Sequence, residues 1–144
     1  MVKPMLSLDF NANQSKNYLN ELIKRIRNLT PALHEVGQLM VASTDENFQN
    51  EQNIYGVKWK QNTPATIRYK VSRGFIMKVL QRKGMLRSSI QYRIEGDKVS
   101  VGTNIPYGAY HQFGTNRLPK REFLGVSRQD QKEIVAILSE YLDE

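Results

Sequence analysis

The strongest structural signal in this chain is an alternation of apolar and polar residues on both sides of Gly96-Asp97. Its apolar positions are Ile90, Tyr92, Ile94, Val99 and Val101. A two-residue turn between alternating segments predicts an antiparallel β-hairpin. The predicted register places Glu95 opposite Lys98, Ile94 opposite Val99 and Tyr92 opposite Val101. In this register opposite charges pair with each other and apolar side chains pair with each other across the strands. The pattern therefore predicts an antiparallel sheet.

Apolar residues at helical spacing flank the hairpin on both sides. The N-terminal third predicts two helices that meet at Thr30-Pro31, and a last helix is predicted from Ser127 to Leu142. The short apolar run Phe123–Val126 is interpreted as a third strand. We therefore predict an α+β fold, in which an antiparallel sheet built on the central hairpin packs against N-terminal and C-terminal helices. Residues 1–144 are expected to form one domain, with 1–52 mostly helical.

Residues 56–74 have no clear period and are predicted to form a long basic loop that is mobile in the lone subunit. No acidic residue lies between Glu51 and Glu95, and the net charge of the chain is +7. Such a stretch favours a DNA-facing surface or a contact with acidic surfaces of other subunits, and a solvated basic face is the plain alternative. The candidate interface or DNA-facing residues are Lys58, Trp59, Lys60, Arg68, Lys70 and Arg73.

Several classes of chemistry lack the residues they need. The chain has no cysteine, which excludes disulfides and thiolate chemistry, and no phosphate-binding loop or dinucleotide motif. No apolar stretch approaches the length of a membrane helix, and no signal peptide is expected. The two histidines, His34 and His111, have no carboxylate or second ligand at a useful spacing. We therefore expect no catalytic residue, no bound metal and no cofactor.

The second half of the chain carries two adjoining motifs rich in aromatic residues and glycine. They read Tyr107-Gly108-Ala109-Tyr110-His111-Gln112-Phe113-Gly114 and Pro119-Lys120-Arg121-Glu122-Phe123-Leu124-Gly125-Val126-Ser127. Upstream lie Gly84-Met85-Leu86-Arg87-Ser88-Ser89, Val101-Gly102-Thr103-Asn104 and Gly56-Val57-Lys58-Trp59. In order and spacing these segments resemble the motifs of the phage virion morphogenesis family, also described as tail completion or head–tail joining proteins. The resemblance covers roughly Gly56 to Leu142.

This resemblance implies a structural subunit of a phage or prophage particle, made in the host bacterial cytoplasm and carried in the virion. It implies a homo-oligomer, for example a ring, that docks to other phage head, neck or tail proteins without a cofactor or a reaction. The motif residues are Tyr107, His111, Gln112, Phe113, Gly114, Pro119, Arg121, Phe123, Leu124 and Gly125.

Within the motifs, Gly114 and Gly125 would permit tight turns or close backbone approach, and Arg121 would brace its loop. Phe113, Phe123 and Leu124 would anchor these loops in the core. Two alternatives stay open: a DNA-contacting protein that uses the basic stretch 58–93, and an enzyme that uses His111.

Overall fold

A computed structural model describes residues 12–81 and 83–143. Within these residues the fold is α+β, as predicted, with six helices and one two-stranded antiparallel sheet. The elements are α1 (Ala12–Arg27), α2 (Thr30–Asn50), α3 (Pro64–Arg73), α4 (Met85–Ser88), β1 (Gln91–Glu95), β2 (Lys98–Gly102), α5 (Gly108–Phe113) and α6 (Arg128–Asp143). The predicted helical segment 1–52 is helical over most of its described part, and its residues before Ala12 lie outside the described residues. That the chain is one domain stays a prediction.

Helix α2 is the central element, because it contacts both strands of the hairpin and also α6. The register of β1 and β2 is the predicted one, including the pairs Tyr92–Val101 and Glu95–Lys98. Gly37 lets the hairpin approach α2 closely, since a Cβ atom there would lie 2.3 Å from Cδ2 of Tyr92. Beside this contact, Nδ1 of His34 and the Tyr92 hydroxyl form a hydrogen bond of 2.9 Å. The hairpin is therefore fixed to one face of α2 by packing at Gly37 and by this polar contact.

The main core forms where the C-terminal half of α2 meets the segment between α2 and the hairpin and the loop before α6. It contains the buried residues Phe48, Trp59, Val79, Leu86, Ile90 and Phe123. The ring of Phe48 lies at its centre, 5.5 Å from the Trp59 ring in an edge-to-face arrangement and 5.3 Å from the Phe123 ring. Aromatic pairs of this kind contribute about 0.5–1.5 kcal/mol beyond their buried area. The core thus joins residues 48, 59 and 123, which are distant in sequence.

Two predicted elements were wrong. The stretch 56–74 is not all loop, because α3 occupies Pro64–Arg73. Thr63 caps this helix by accepting a hydrogen bond from the backbone N–H of Thr66, and Gly74 ends it in the left-handed region (φ 68°). Residues 123–126 form no strand, because the backbone of Phe123 and Leu124 bonds to a side chain, described below, instead of a neighbouring strand.

The C-terminal helix α6 starts with a reciprocal cap. The hydroxyl of Ser127 accepts from the Asp130 N–H, and the Asp130 carboxylate accepts from the Ser127 N–H, both at 3.0 Å. Ser43 on α2 donates to the same carboxylate at 3.0 Å. At the other end, Arg25 on α1 donates to the carbonyl oxygen of Leu142 at 3.1 Å. Helix α6 is therefore bonded to α2 at its start and to α1 at its end.

Candidate functional site

The two adjoining motifs fold as α5 followed by an extended loop, and Gln112 holds them together. Its Oε1 atom accepts from the backbone N–H groups of Phe123 at 3.0 Å and Leu124 at 3.1 Å, and its Nε2 donates to the Leu124 carbonyl at 3.1 Å. The carbonyl of Phe123 accepts in turn from Nδ2 of Asn47 at 3.0 Å. Because Phe123 is buried, these side chains satisfy backbone groups that would otherwise lack partners.

Arg121 fixes the chain that leads to α3. Its Nε donates to the carbonyl of Lys60 at 2.8 Å and its Nη2 to the carbonyl of Gln61 at 3.3 Å. Trp59 completes the connection by donating from Nε1 to the carbonyl of Glu122 at 2.7 Å. Side chains of the segments 59–61 and 121–123 thus each donate hydrogen bonds to backbone carbonyl groups of the other segment.

The two motif glycines lie where backbones or side chains approach closely. Gly114 ends α5 with φ 75°, and a Cβ atom there would lie 3.0 Å from the backbone nitrogen of Lys120. At Gly125 a Cβ atom would lie 2.9 Å from the side chain of Ile54. Any larger residue at either position would push the loop away from its support.

The prediction that Phe113 anchors the motif in the core is wrong. Phe113 is 74% exposed, because it follows Gly108, the residue that α5 buries, by five positions and so emerges on another side of the helix. Phe123 is buried and Leu124 is packed against the core. Phe113 therefore belongs to the surface of the motif.

A cavity of about 690 Å³ opens beside this motif, and we call it the basic pocket. Its wall combines α3 with the residues just before it, α4 with the segment that precedes it, α5 and the loop 117–121. The lining residues are Asn62, Thr63, Thr66, Lys70, Leu80, Lys83, Met85, Leu86, Tyr107, His111, Arg117, Leu118, Pro119 and Arg121. Four of them are lysine or arginine and none is acidic, so the pocket carries a positive potential.

The charged groups of the pocket are held in different ways. Lys70 is buried, and its Nζ donates to the carbonyl of Lys78 at 2.8 Å. Burial lowers the pKa of Arg121 below its usual value. Burial, and secondarily the charge of Arg121, lowers the pKa of His111 below 6.5. Lys83 and Arg117 are exposed at the rim.

His111 has a hydrogen-bonding capacity that the fold does not use. Its buried Nδ1 atom has no hydrogen-bond partner among the described residues. The ring packs edge-to-face on Tyr107, with centroids 6.2 Å apart. A general base of the histidine type needs a group that orients it, such as a carboxylate, and none of the described residues that line the pocket is acidic.

The six candidate interface residues do not form one surface. Trp59 is 5% exposed and packs in the core, so it has no face for base stacking, and Lys70 is buried in the wall of the pocket. Lys58, Lys60, Arg68 and Arg73 are exposed. Nζ of Lys58 donates to the carbonyl of Asn50 at 2.6 Å, and Arg73 lies over the ring of Tyr69. The basic surface of this region is therefore carried by four residues.

A second surface lies far from the motifs in sequence, on α1. The described part of this helix exposes Tyr18, Leu19, Ile23 and Ile26, with 44–60% of each side chain accessible. Leu19, Ile23 and Ile26 recur at helical spacing and lie on one face. Side chains of this size on one face are typical of a surface that contacts another protein.

Sequence reasoning missed several pocket residues. Thr63 and Pro64 carry the same Thr-Pro signal that marked the start of α2, and Gly74 supplied the stop, so α3 was predictable. Lys83, Arg117 and Leu118 come from segments without secondary structure, and only the fold brings them to one cavity. No local sequence signal assigns them to a site.

Comparisons with known proteins agree with these motifs. The model of the phage virion morphogenesis family matches residues 10–143. The chain is similar to the Mu-like prophage FluMu G protein 1 of Haemophilus influenzae, with 30% identity over 112 residues that cover 76% of this chain and 77% of that protein. The Mu-like prophage FluMu G protein 2 of the same organism is 25% identical over 138 residues, or 91% of each chain. No solved structure is significantly similar to the chain.

Among the described residues, no group of three or more His, Cys, Asp or Glu side chains is placed to hold a metal ion. None of the helices within residues 12–81 and 83–143 is both long and apolar enough to cross a bilayer.

Proposed function

Because the chain belongs to the phage virion morphogenesis family, we propose that it is a structural subunit that acts in tail completion or head–tail joining. It assembles with copies of itself, for example into a ring, and docks to other virion proteins. It is made in the host cytoplasm and incorporated into the particle. The family and the prophage relatives give the coarser result, a role in building a phage particle. The finer role rests on the surfaces of the subunit.

The observation that carries self-assembly is the apolar face of α1. Leu19, Ile23 and Ile26 expose 53%, 44% and 51% of their side chains in the single subunit. Covering apolar area stabilises an interface by about 25 cal/mol per Å² before the costs of association are subtracted. In a particle protein that assembles with itself, a second copy can cover this face. We therefore assign the apolar face of α1 to the contact between copies.

The internal bonding of the motif supports docking over catalysis. Gln112 and Arg121 use their polar atoms to hold backbone segments, and the glycines allow these segments to approach closely. Helix α5, which Gln112 bonds to the loop, exposes the aromatic rings of Tyr110 and Phe113, and such side chains are suited to binding a protein surface.

Light scattering coupled to size exclusion tests self-assembly on the full chain. The wild-type protein is expected to form an oligomer, and the Leu19→Ser/Ile23→Ser/Ile26→Ser variant is expected to be monomeric with an unchanged circular dichroism spectrum. Lys24→Ser, on the opposite face of α1, is the matched control and should assemble like the wild type. A folded triple variant that keeps the wild-type mass would contradict the assignment of this face.

Contact with DNA is a second candidate function, favoured by the exposed cations Lys60, Arg68 and Arg73 in the acid-free stretch. Part of the predicted 58–93 surface is neutralised, because Arg87 pairs with Asp45 at 2.6 Å and Arg93 with Glu95 at 3.6 Å. Contact with DNA would therefore have to use the exposed cations in and near α3, Lys60, Arg68 and Arg73.

A salt series with a DNA duplex tests this second candidate. Each phosphate contact adds about 0.9 to the slope of log affinity against log salt. Lys60→Gln/Arg68→Gln/Arg73→Gln should reduce both affinity and slope if the region touches DNA. If the wild type and the variant bind the duplex equally weakly at physiological salt, the hypothesis of DNA contact is wrong.

A further inference from the structure

We propose that the basic pocket binds an acidic segment of a partner protein, with carboxylate side chains next to apolar ones. This inference rests on the proposed docking role and specifies the chemistry of the partner. The pocket lies between the motif and α3, away from the apolar face of α1. It therefore gives the subunit a second contact, distinct from the one assigned to self-assembly.

The lining determines the charge of the occupant. Lys83 and Arg117 lie exposed at the rim, while Lys70 and Arg121 lie in the wall. Among the described residues, those that line the pocket include no aspartate or glutamate, so the two rim cations face no carboxylate of the lining. Charge-assisted hydrogen bonds from such cations to carboxylates are stronger than those between neutral groups.

The pocket also has an apolar component. Leu80, Leu86 and Leu118 line it, together with Met85, Tyr107 and Pro119. A free phosphate would leave these side chains uncovered, and the phosphates of a duplex lie on a convex backbone that does not fill a cavity of about 690 Å³. A short peptide with alternating acidic and apolar side chains matches both parts of the lining.

His111 lines the pocket beside Arg121, whose charge adds to burial in lowering the pKa of the imidazole. A carboxylate bound in the pocket would offset this charge and favour the protonated ring. The environment of His111 is therefore expected to change when the pocket is occupied.

Fluorescence anisotropy with a labelled peptide of alternating aspartate and leucine tests the proposal on the full chain. The wild-type protein should bind this peptide and bind a peptide of alternating asparagine and leucine at least about tenfold more weakly. Lys83→Gln/Arg117→Gln should raise Kd for the acidic peptide about tenfold, because both cations are removed from the rim. Lys98→Gln/Lys132→Gln removes two exposed charges outside the pocket and should leave Kd unchanged within about twofold.

Equal affinity of the wild type for the two peptides would overturn the proposal, and so would equal affinity of the two double variants for the acidic peptide. The proposal would also be wrong if Lys83→Gln/Arg117→Gln weakened binding of a DNA duplex but not binding of the acidic peptide. The mass of each sample is measured in parallel. A monomer that binds the acidic peptide supports the pocket and contradicts self-assembly. An oligomer that does not bind it overturns the pocket alone.

The histidines provide a second readout that is independent of the rim variants. The chain has two, and only His111 lines the basic pocket, whereas His34 is bonded to Tyr92 on β1. In NMR spectra the acidic peptide should shift the ring signals of His111 and leave those of His34 in place. Shifts at His34 without shifts at His111 would contradict binding in the pocket.

Discussion

The side-chain amide of Gln112 bonds to the backbone at Phe123, with its Oε1 atom 3.0 Å from the Phe123 nitrogen. The same atom accepts from the N–H of Leu124. Gln112→Leu keeps the size of the side chain and leaves both N–H groups without a partner. We expect a loss of about 1–3 kcal/mol in the free energy of unfolding, measured by urea titration.

Gln112→Glu is the matched control for this bond. A carboxylate keeps the two acceptor contacts and loses the donor to the Leu124 carbonyl, so its free energy of unfolding should lie between those of the wild type and Gln112→Leu. If Gln112→Leu is as stable as the wild type, Gln112 does not support the loop.

The close approach of the hairpin to α2 depends on Gly37. Gly37→Ala would place a methyl group 2.3 Å from the Tyr92 ring. Overpacking costs about 1–3 kcal/mol, and the better helix propensity of alanine returns about 1 kcal/mol. We therefore expect a net loss of up to about 2 kcal/mol in the free energy of unfolding, measured by thermal or urea denaturation. Gly102→Ala should be nearly neutral, since no atom of the described residues lies within 4 Å of the added methyl group. Equal effects at the two positions would contradict the packing described for α2.

Trp59 reports directly on the core, because it is the only tryptophan of the chain. Its side chain is buried against Phe48, with Nε1 bonded to the Glu122 carbonyl. Native emission should therefore lie at shorter wavelength than in urea, and acrylamide should quench it less. Addition of DNA should leave the emission unchanged even if Lys60 or Arg68 binds the phosphates. Quenching that is as strong in the native state as in urea would contradict the buried position.

The stability of the protein should fall on acidification because of His111. Its pKa in the folded state is lowered from 6.5 by burial and by Arg121, so the unfolded state takes up the proton first. Stability is then present above pH 6.5 and is lost as the pH falls from 6.5 towards the folded-state pKa. Urea midpoints at about pH 7.5 and about pH 5.5 measure this loss, which should be smaller in His111→Gln.

His34→Gln is the control for this pH dependence, since it removes an imidazole outside the pocket and leaves His111 in place. The loss that His111 causes should persist in this variant. An unchanged pH dependence in His111→Gln would contradict the lowered pKa.

Local patterns were enough to predict part of this fold. Alternation around Gly96-Asp97 fixed the hairpin register down to the pair Glu95–Lys98, because strand pairing across a two-residue turn is a local property. The same holds for the helix boundary at Thr30-Pro31 and for the start of α6 at Ser127. Helix α3 was missed although Thr63, Pro64 and Gly74 mark its ends, since its interior has no apolar stripe and buries only Lys70.

The candidate site was less predictable, because it depends on contacts between distant segments. Gln112 was recognised as part of a motif, but its bonds to Phe123 and Leu124 replace a strand that the apolar run 123–126 had suggested. Trp59 between basic residues resembled a stacking platform, and only the fold shows that it is buried against Phe48. The pocket needs Lys83 and Arg117 together, and no sequence pattern links these two positions.

A structural subunit is present in the finished particle in a fixed number of copies. Quantitative mass spectrometry of purified phage particles, with the major capsid protein as the internal standard, measures this number. We expect a fixed copy number for this protein, and we expect particles made with Leu19→Ser/Ile23→Ser/Ile26→Ser to lack it and to have unjoined or incomplete tails. Complete, infectious particles that contain no copy of the chain would show that it is not a structural subunit.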